Sequence, residues 1–149
     1  MPWALRRAFV GSSVAWAAAL PLATLAASHR FAPSLVSVSA FAVYAIGAVV
    51  CHQRPERSFF LWAHQMPVCA RCAGLYAGAA LGALVFVARR AEALRHNPDR
   101  PARTALAIAA LPTLVTLVYE WTTGQMPSNT VRAFTGLPLG AAVSWIVIR

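Results

Sequence analysis

The segment CHQRPERSFFLWAHQMPVCARC contains all three cysteines of the chain and two of its four histidines. Cys69 and Cys72 form a Cys-x-x-Cys pair, and Cys51 is followed directly by His52. Three thiolates and one imidazole make the closed tetrahedral set that suits zinc, and soft thiolates also bind copper(I) or iron. We therefore expect a metal ion held by the three cysteines, with His52 or His64 as the fourth ligand.

The same cysteines allow two other interpretations. In a membrane thiol-disulfide oxidoreductase, Cys69 and Cys72 would alternate between dithiol and disulfide while Cys51 exchanges with a partner. A helix N-terminus and the neighbouring Arg71 both favour the thiolate form that this chemistry needs. A relay between two cysteine pairs requires four cysteines, whereas the chain has 3, which favours the metal site. The simplest alternative is a structural disulfide or buried thiols that only pack.

Basic residues in and near this segment suggest a site for a phosphate, a carboxylate or a lipid headgroup. The candidate anion-binding residues are Arg54, Arg57, Arg71, Asn129 and Arg132. Glu120 ends an apolar run at a depth where an ionisable residue is a functional candidate, and it joins Arg57 and Arg132 as a candidate catalytic group. The structural alternative pairs Glu120 with Arg132 and Glu56 with a neighbouring arginine. Since these residues specify no reaction, a non-enzymatic lipid or anion binder stands as a third function.

Composition places these residues in a membrane protein. Of the 149 residues, 59% are hydrophobic and 11% are charged, whereas soluble domains average about 25% charged. Five apolar runs approach the roughly 20 residues that cross a bilayer as helix, which predicts an all-α polytopic transmembrane bundle forming one membrane domain over residues 1–149. The predicted spans are residues 8–28, 31–50, 72–88, 104–119 and 133–148. A cleaved signal peptide would leave four spans, but the first run is longer than a usual signal-peptide core, which favours retention.

Small residues and prolines in the runs predict how the helices pack. Gly74, Gly78 and Gly82 are spaced four apart and would let another helix backbone approach one face of the third span. Pro112 and Pro138 lie inside the fourth and fifth spans and would kink or locally break them.

Two spans separate the cysteine segment from residues 120–132, so both should lie at the same membrane face. Residues 89–103 include five arginines and two acids, and the positive-inside rule therefore places them in the cytoplasm. The cysteine segment would then lie outside the cytoplasm. Arg6 and Arg7 at the N-terminus oppose this orientation. The net charge is +9, but the arginines lie between apolar runs without interleaved aromatic residues. They therefore favour contact with the bilayer and its anionic lipids, not nucleic acid. The sequence leaves the oligomeric state open.

The motifs CHQRPERSF and MPVCARCAGLYAG, followed later by SN, Arg132 and TG, resemble the small prokaryotic membrane proteins grouped as domain of unknown function family 2085. The resemblance covers residues 51–140. It implies a multi-pass protein of a prokaryotic cell membrane and supplies no activity. The matching positions are Cys51, His52, Gln53, Pro55, Arg57, Ser58, Cys69, Arg71, Cys72, Gly74, Tyr76, Gly78, Asn129, Arg132 and Gly136.

Overall fold

The computed structural model describes residues 3–29, 34–88 and 102–148, and most of them are α-helical. The helices are α1 (Trp3–Ser28), α2 (Ser34–Val50), α3 (Ala70–Ala88), α4 (Ala102–Thr123) and α5 (Asn129–Ile148). Between α2 and α3 lie a 3₁₀ turn at Pro55–Arg57 and two short strands, β1 (Ser58–Leu61) and β2 (His64–Cys69). The helical bundle predicted from the apolar runs is thus confirmed.

Four of the helices, α1, α3, α4 and α5, are long and apolar enough to cross a membrane, whereas α2 is apolar but has only 17 residues. Several helices extend past the predicted spans, because polar residues can continue a helix beyond the apolar run. The first helix starts at Trp3 instead of residue 8, and it therefore includes Arg6 and Arg7. Large apolar side chains such as Leu35 and Phe41 point outward, as a lipid-facing surface requires.

The predicted glycine face of α3 packs directly against α5. A Cβ atom added to Gly78 would collide with the backbone carbonyl of Leu137, and one added to Gly140 would collide with that of Leu75. Only glycine permits backbones this close, so the packing depends on glycines from both helices. Pro138 lies inside α5, which continues through it as a single helix, as α4 does through Pro112, so neither proline breaks its helix.

The cysteine segment, which lies between the second and third predicted spans, contains an antiparallel hairpin formed by β1 and β2. Leu61 pairs with His64, which leaves Trp62 and Ala63 as a two-residue turn with φ values of 50° and 62°. Positive φ at both positions is the geometry of a type I′ hairpin turn, which normally uses asparagine or glycine. Residues 66–68 of β2 are buried, and Val68 is fully inaccessible and packs in one apolar cluster with residues of α1.

Candidate functional site

The three cysteines meet at one point of the structure. Their Sγ atoms all lie within 4.8 Å of one another, and all three are free thiols. Cys51 directly follows α2, Cys69 is the last residue of β2, and Cys72 lies in the first turn of α3. Three sulfurs bound to one metal at about 2.3 Å would be about 3.8 to 4.0 Å apart, so only a small contraction separates this arrangement from a metal-bound set.

Backbone amides point at two of these sulfurs. The N–H of Cys69 donates to Cys51 Sγ at 3.2 Å. The backbone N–H groups of Cys72 and Arg71, at the start of α3, both lower the pKa of the Cys69 thiol, as donors at a helix N-terminus do for a thiolate. A hydrogen bond from the Cys72 thiol is the largest cause of a pKa of about 5 for Cys69, the amides and Cys51 lower it further, and burial opposes them. These donors therefore favour the thiolate form of Cys69.

The two candidate histidines are exposed and lie outside the group of three sulfurs. The Nδ1 atom of His64 is 3.0 Å from the carbonyl oxygen of Trp62, beside the hairpin turn. His52 follows Cys51 but is turned toward solvent. The structure therefore brings together three of the five predicted metal ligands, and a histidine as fourth ligand stays a prediction.

Glutamine and tyrosine side chains fix the hairpin against α2. Gln53, which has a φ of 45°, donates through Nε2 to the carbonyl oxygens of Tyr44 and Pro67 at 3.0 and 2.6 Å. The hydroxyl of Tyr44 donates to the carbonyl oxygen of Gln65 at 2.6 Å. Because Cys51 lies between Tyr44 and Gln53 in the chain, these bonds hold its sulfur beside the end of β2. The sequence indicates Gln53 only through the family motif, and it gives no signal for its partners Tyr44 and Pro67.

A second cluster surrounds Glu120, whose side chain is 5% exposed. Its Oε1 atom accepts Arg71 Nη2 at 2.9 Å and Arg132 Nε at 3.1 Å. Its Oε2 atom lies 3.9 Å from Arg57 Nη1. Arg71 Nη2 also donates to Thr116 Oγ1 at 3.2 Å. The ion pair between Glu120 and Arg132, expected as the structural alternative, is present, and Arg57 and Arg71 extend it.

The remaining candidate anion-binding residues, Asn129 and Arg54, make contacts outside this cluster. Asn129 Nδ2 donates to the carbonyl oxygen of Ser58 at 2.9 Å, which ties the start of α5 to the hairpin. Arg54 Nη1 is 4.0 Å from Glu56 Oε1, and both side chains are exposed. These contacts place the cysteine segment and residues 120–132 at the same end of the bundle, as the count of spans predicts.

Arg71 belongs to both clusters. Its backbone N–H helps to lower the pKa of Cys69, while its side chain reaches Glu120 and Thr116 on α4. The group of three cysteines and the cluster of arginines around Glu120 are therefore connected through the first turn of α3. Thr116 carries no sequence signal for this contact, because it is 45 residues from Arg71 in the chain and lies in an apolar run.

Comparisons with known proteins agree with a membrane assignment. The family model described as "Predicted membrane protein (DUF2085)" matches residues 51–146. An uncharacterized protein of Methanocaldococcus jannaschii is 32% identical over 71% of this chain and 66% of its own length. An uncharacterized protein of Methanothermobacter thermautotrophicus is 33% identical over 64% of this chain and 81% of its own length. No solved structure matches.

Proposed function

This chain belongs to the DUF2085 family of predicted membrane proteins, and we propose that it binds a metal ion through Cys51, Cys69 and Cys72. The observation that carries the proposal is the convergence of three free thiols within 4.8 Å. Each thiol comes from a different element of the fold, so packing of α2, β2 and α3 assembles the site. Zinc is the proposed metal because thiolates with one further nitrogen or oxygen ligand complete its tetrahedron, and copper(I) and iron are the alternatives.

The fourth coordination position decides what such a site does. A histidine as fourth ligand, His52 or His64, would close the site and make it a structural staple between helices. A position left to water would make the metal a candidate catalytic centre, since bound zinc lowers the pKa of its water. Replacing His52 or His64 with alanine separates these cases, because only a ligand's removal lowers metal affinity.

Metal content of the purified protein tests the proposal. We expect about one metal ion per chain by inductively coupled plasma mass spectrometry, in detergent and without a nickel column. Cys69→Ser and Cys72→Ser should lose the metal, and their melting temperatures should fall. The control His29→Ala alters an exposed histidine at the end of α1 and should keep both properties. Folded, metal-free wild-type protein would contradict the proposal.

A second candidate is thiol-disulfide exchange, favoured by the two backbone amides that stabilise Cys69 as a nucleophile. The Cys69 thiolate would attack a partner's disulfide, form a mixed disulfide and release one partner thiolate. Cys72, after losing its proton, would attack Cys69 Sγ and release the second, leaving an oxidised Cys69–Cys72 pair and a reduced partner. Incubation of metal-free protein with oxidised glutathione should then yield that disulfide, detected by peptide mass. Its absence would leave metal binding as the function of the thiols.

The proposed orientation places the cysteine segment outside the cytoplasm, from the arginines of residues 89–103. A membrane-impermeant maleimide, applied to intact cells after chelation, should then label Cys69. Labelling that requires lysis of the cells would reverse the orientation without affecting the proposed metal site.

A further inference from the structure

The cluster around Glu120 contains more positive than negative charge. Three guanidinium groups, from Arg57, Arg71 and Arg132, face a single carboxylate, which leaves an excess of two positive charges. Glu56 is the other acid among the described residues, and it lies beside the exposed Arg54. One carboxylate therefore does not neutralise this end of the bundle.

Burial makes the excess charge costly. The side chains of Arg132 and Arg71 are only 3% and 19% exposed. Each of the three arginines has one buried nitrogen without a hydrogen-bond partner: Nε of Arg57, Nε of Arg71 and Nη2 of Arg132. The Nη2 atom of Arg132 is 2.9 Å from Glu120 Oε1, but the angle forms no hydrogen bond. Buried donors on charged groups that lack acceptors are unfavourable, and an oxyanion would supply acceptors.

We propose that Arg57, Arg71 and Arg132 form a binding site for an oxyanion of the phosphate class, supplied by a lipid headgroup or by free phosphate. Guanidinium groups present paired N–H donors that match the oxygens of a phosphate. Arg57 is the most exposed of the three, at 39% of its side chain, so the anion approaches from the side of the hairpin. Glu120 positions Arg71 and Arg132 by holding both on one oxygen.

Two neighbouring arginines provide a matched test. Arg57→Gln removes the guanidinium nearest to solvent from the cluster. Arg54→Gln removes the same charge three residues earlier, where the side chain lies beside the exposed Glu56. Inorganic phosphate would be titrated by calorimetry into protein in nanodiscs of neutral phosphatidylcholine, at constant ionic strength. Wild type and Arg54→Gln should bind phosphate alike, and Arg57→Gln should bind about tenfold more weakly, because a charge-assisted hydrogen bond is lost.

Anionic lipid is tested in parallel. Phosphatidylglycerol retained by the protein would be measured by native mass spectrometry after release from mixed nanodiscs. Retention by wild type and Arg54→Gln, but not by Arg57→Gln, identifies a lipid headgroup as the source, whereas binding in neutral nanodiscs identifies free phosphate. Equal behaviour of the two variants toward both ligands, or no binding by wild type, would overturn the proposal. Equal melting temperatures of the variants would show that folding does not cause the difference.

Discussion

Replacing Glu120 with glutamine should destabilise the bundle far more than the same change at Glu56. Both substitutions remove one negative charge and keep nearly the same shape. Glu120 is buried among three arginines on α3, α5 and the 3₁₀ turn, whereas Glu56 is 46% exposed and lies 4.0 Å from Arg54. The comparison therefore isolates the effect of burial and convergence.

The structure gives the size of the effect. Glu120 Oε1 accepts hydrogen bonds from Arg71 and Arg132, and charged acceptors make such bonds roughly twice as strong as neutral ones. Glutamine keeps an acceptor but leaves the guanidinium groups without a counter-charge, and breaking a buried ion pair costs about 3 to 5 kcal/mol. The partly exposed Arg57 is screened by solvent, which places Glu120→Gln near the lower end, at about 3 kcal/mol. Glu56→Gln should cost less than about 1 kcal/mol.

Unfolding in mixed micelles with increasing dodecyl sulfate, followed by tryptophan fluorescence, would measure both variants. The order of stability should be wild type, then Glu56→Gln closely behind, then Glu120→Gln well below. Equal free energies of unfolding for the two variants would refute the view that the buried carboxylate holds the arginines together.

Three further predictions concern packing, ionisation and the hairpin. Gly78→Ala should destabilise the protein by about 1 to 3 kcal/mol, since its Cβ would collide with the α5 backbone. In the control Gly11→Ala the added Cβ meets no atom within 4 Å, so this variant should be neutral or slightly stabilising. Unfolding in mixed micelles measures both variants, and equal effects would contradict the close packing of α3 and α5. Because its pKa is lowered to about 5, Cys69 in metal-free protein should react with iodoacetamide at a nearly constant rate from pH 6 to 9 and more slowly as pH falls through 5. Peptide mass spectrometry would measure the rate, and a rate that keeps rising through about pH 8.5, as for an ordinary thiol, would contradict the lowered pKa. Gln53→Ala should lower metal occupancy and melting temperature together, because the carbonyl oxygens of Tyr44 and Pro67 lose a part-buried hydrogen-bond donor. Unchanged values would show that these bonds do not position the Cys51 thiol.

The sequence predicts the helices because lipid imposes a simple rule on them. A span needs a continuous apolar run, and the five runs correspond to α1–α5. The glycine face of α3 is also readable, since spacing by four places Gly74, Gly78 and Gly82 on one side of a helix. Its partner, α5, is not readable, because small residues occur in several runs and only the assembled structure shows which ones meet.

The hairpin escapes prediction for a local reason. Trp62 and Ala63 adopt positive φ, which their side chains disfavour, so no turn signal is present and the tertiary contacts of β2 impose the turn. At the site, clustering in sequence predicts the meeting of the three cysteines. The convergence of Arg57, Arg71 and Arg132 on Glu120 requires contacts between residues far apart in the chain, Arg57 and Glu120 being the most distant pair, and spacing along the chain does not encode them.

X-ray absorption spectroscopy of the purified protein, at the edge of the metal found in it, tests the central claim most directly. A metal ion held by Cys51, Cys69 and Cys72 should show a shell of three sulfur atoms at about 2.3 Å, with a lighter nitrogen or oxygen atom as any fourth neighbour. A metal surrounded only by nitrogen and oxygen atoms, or a folded protein that contains no stoichiometric metal, would contradict the account.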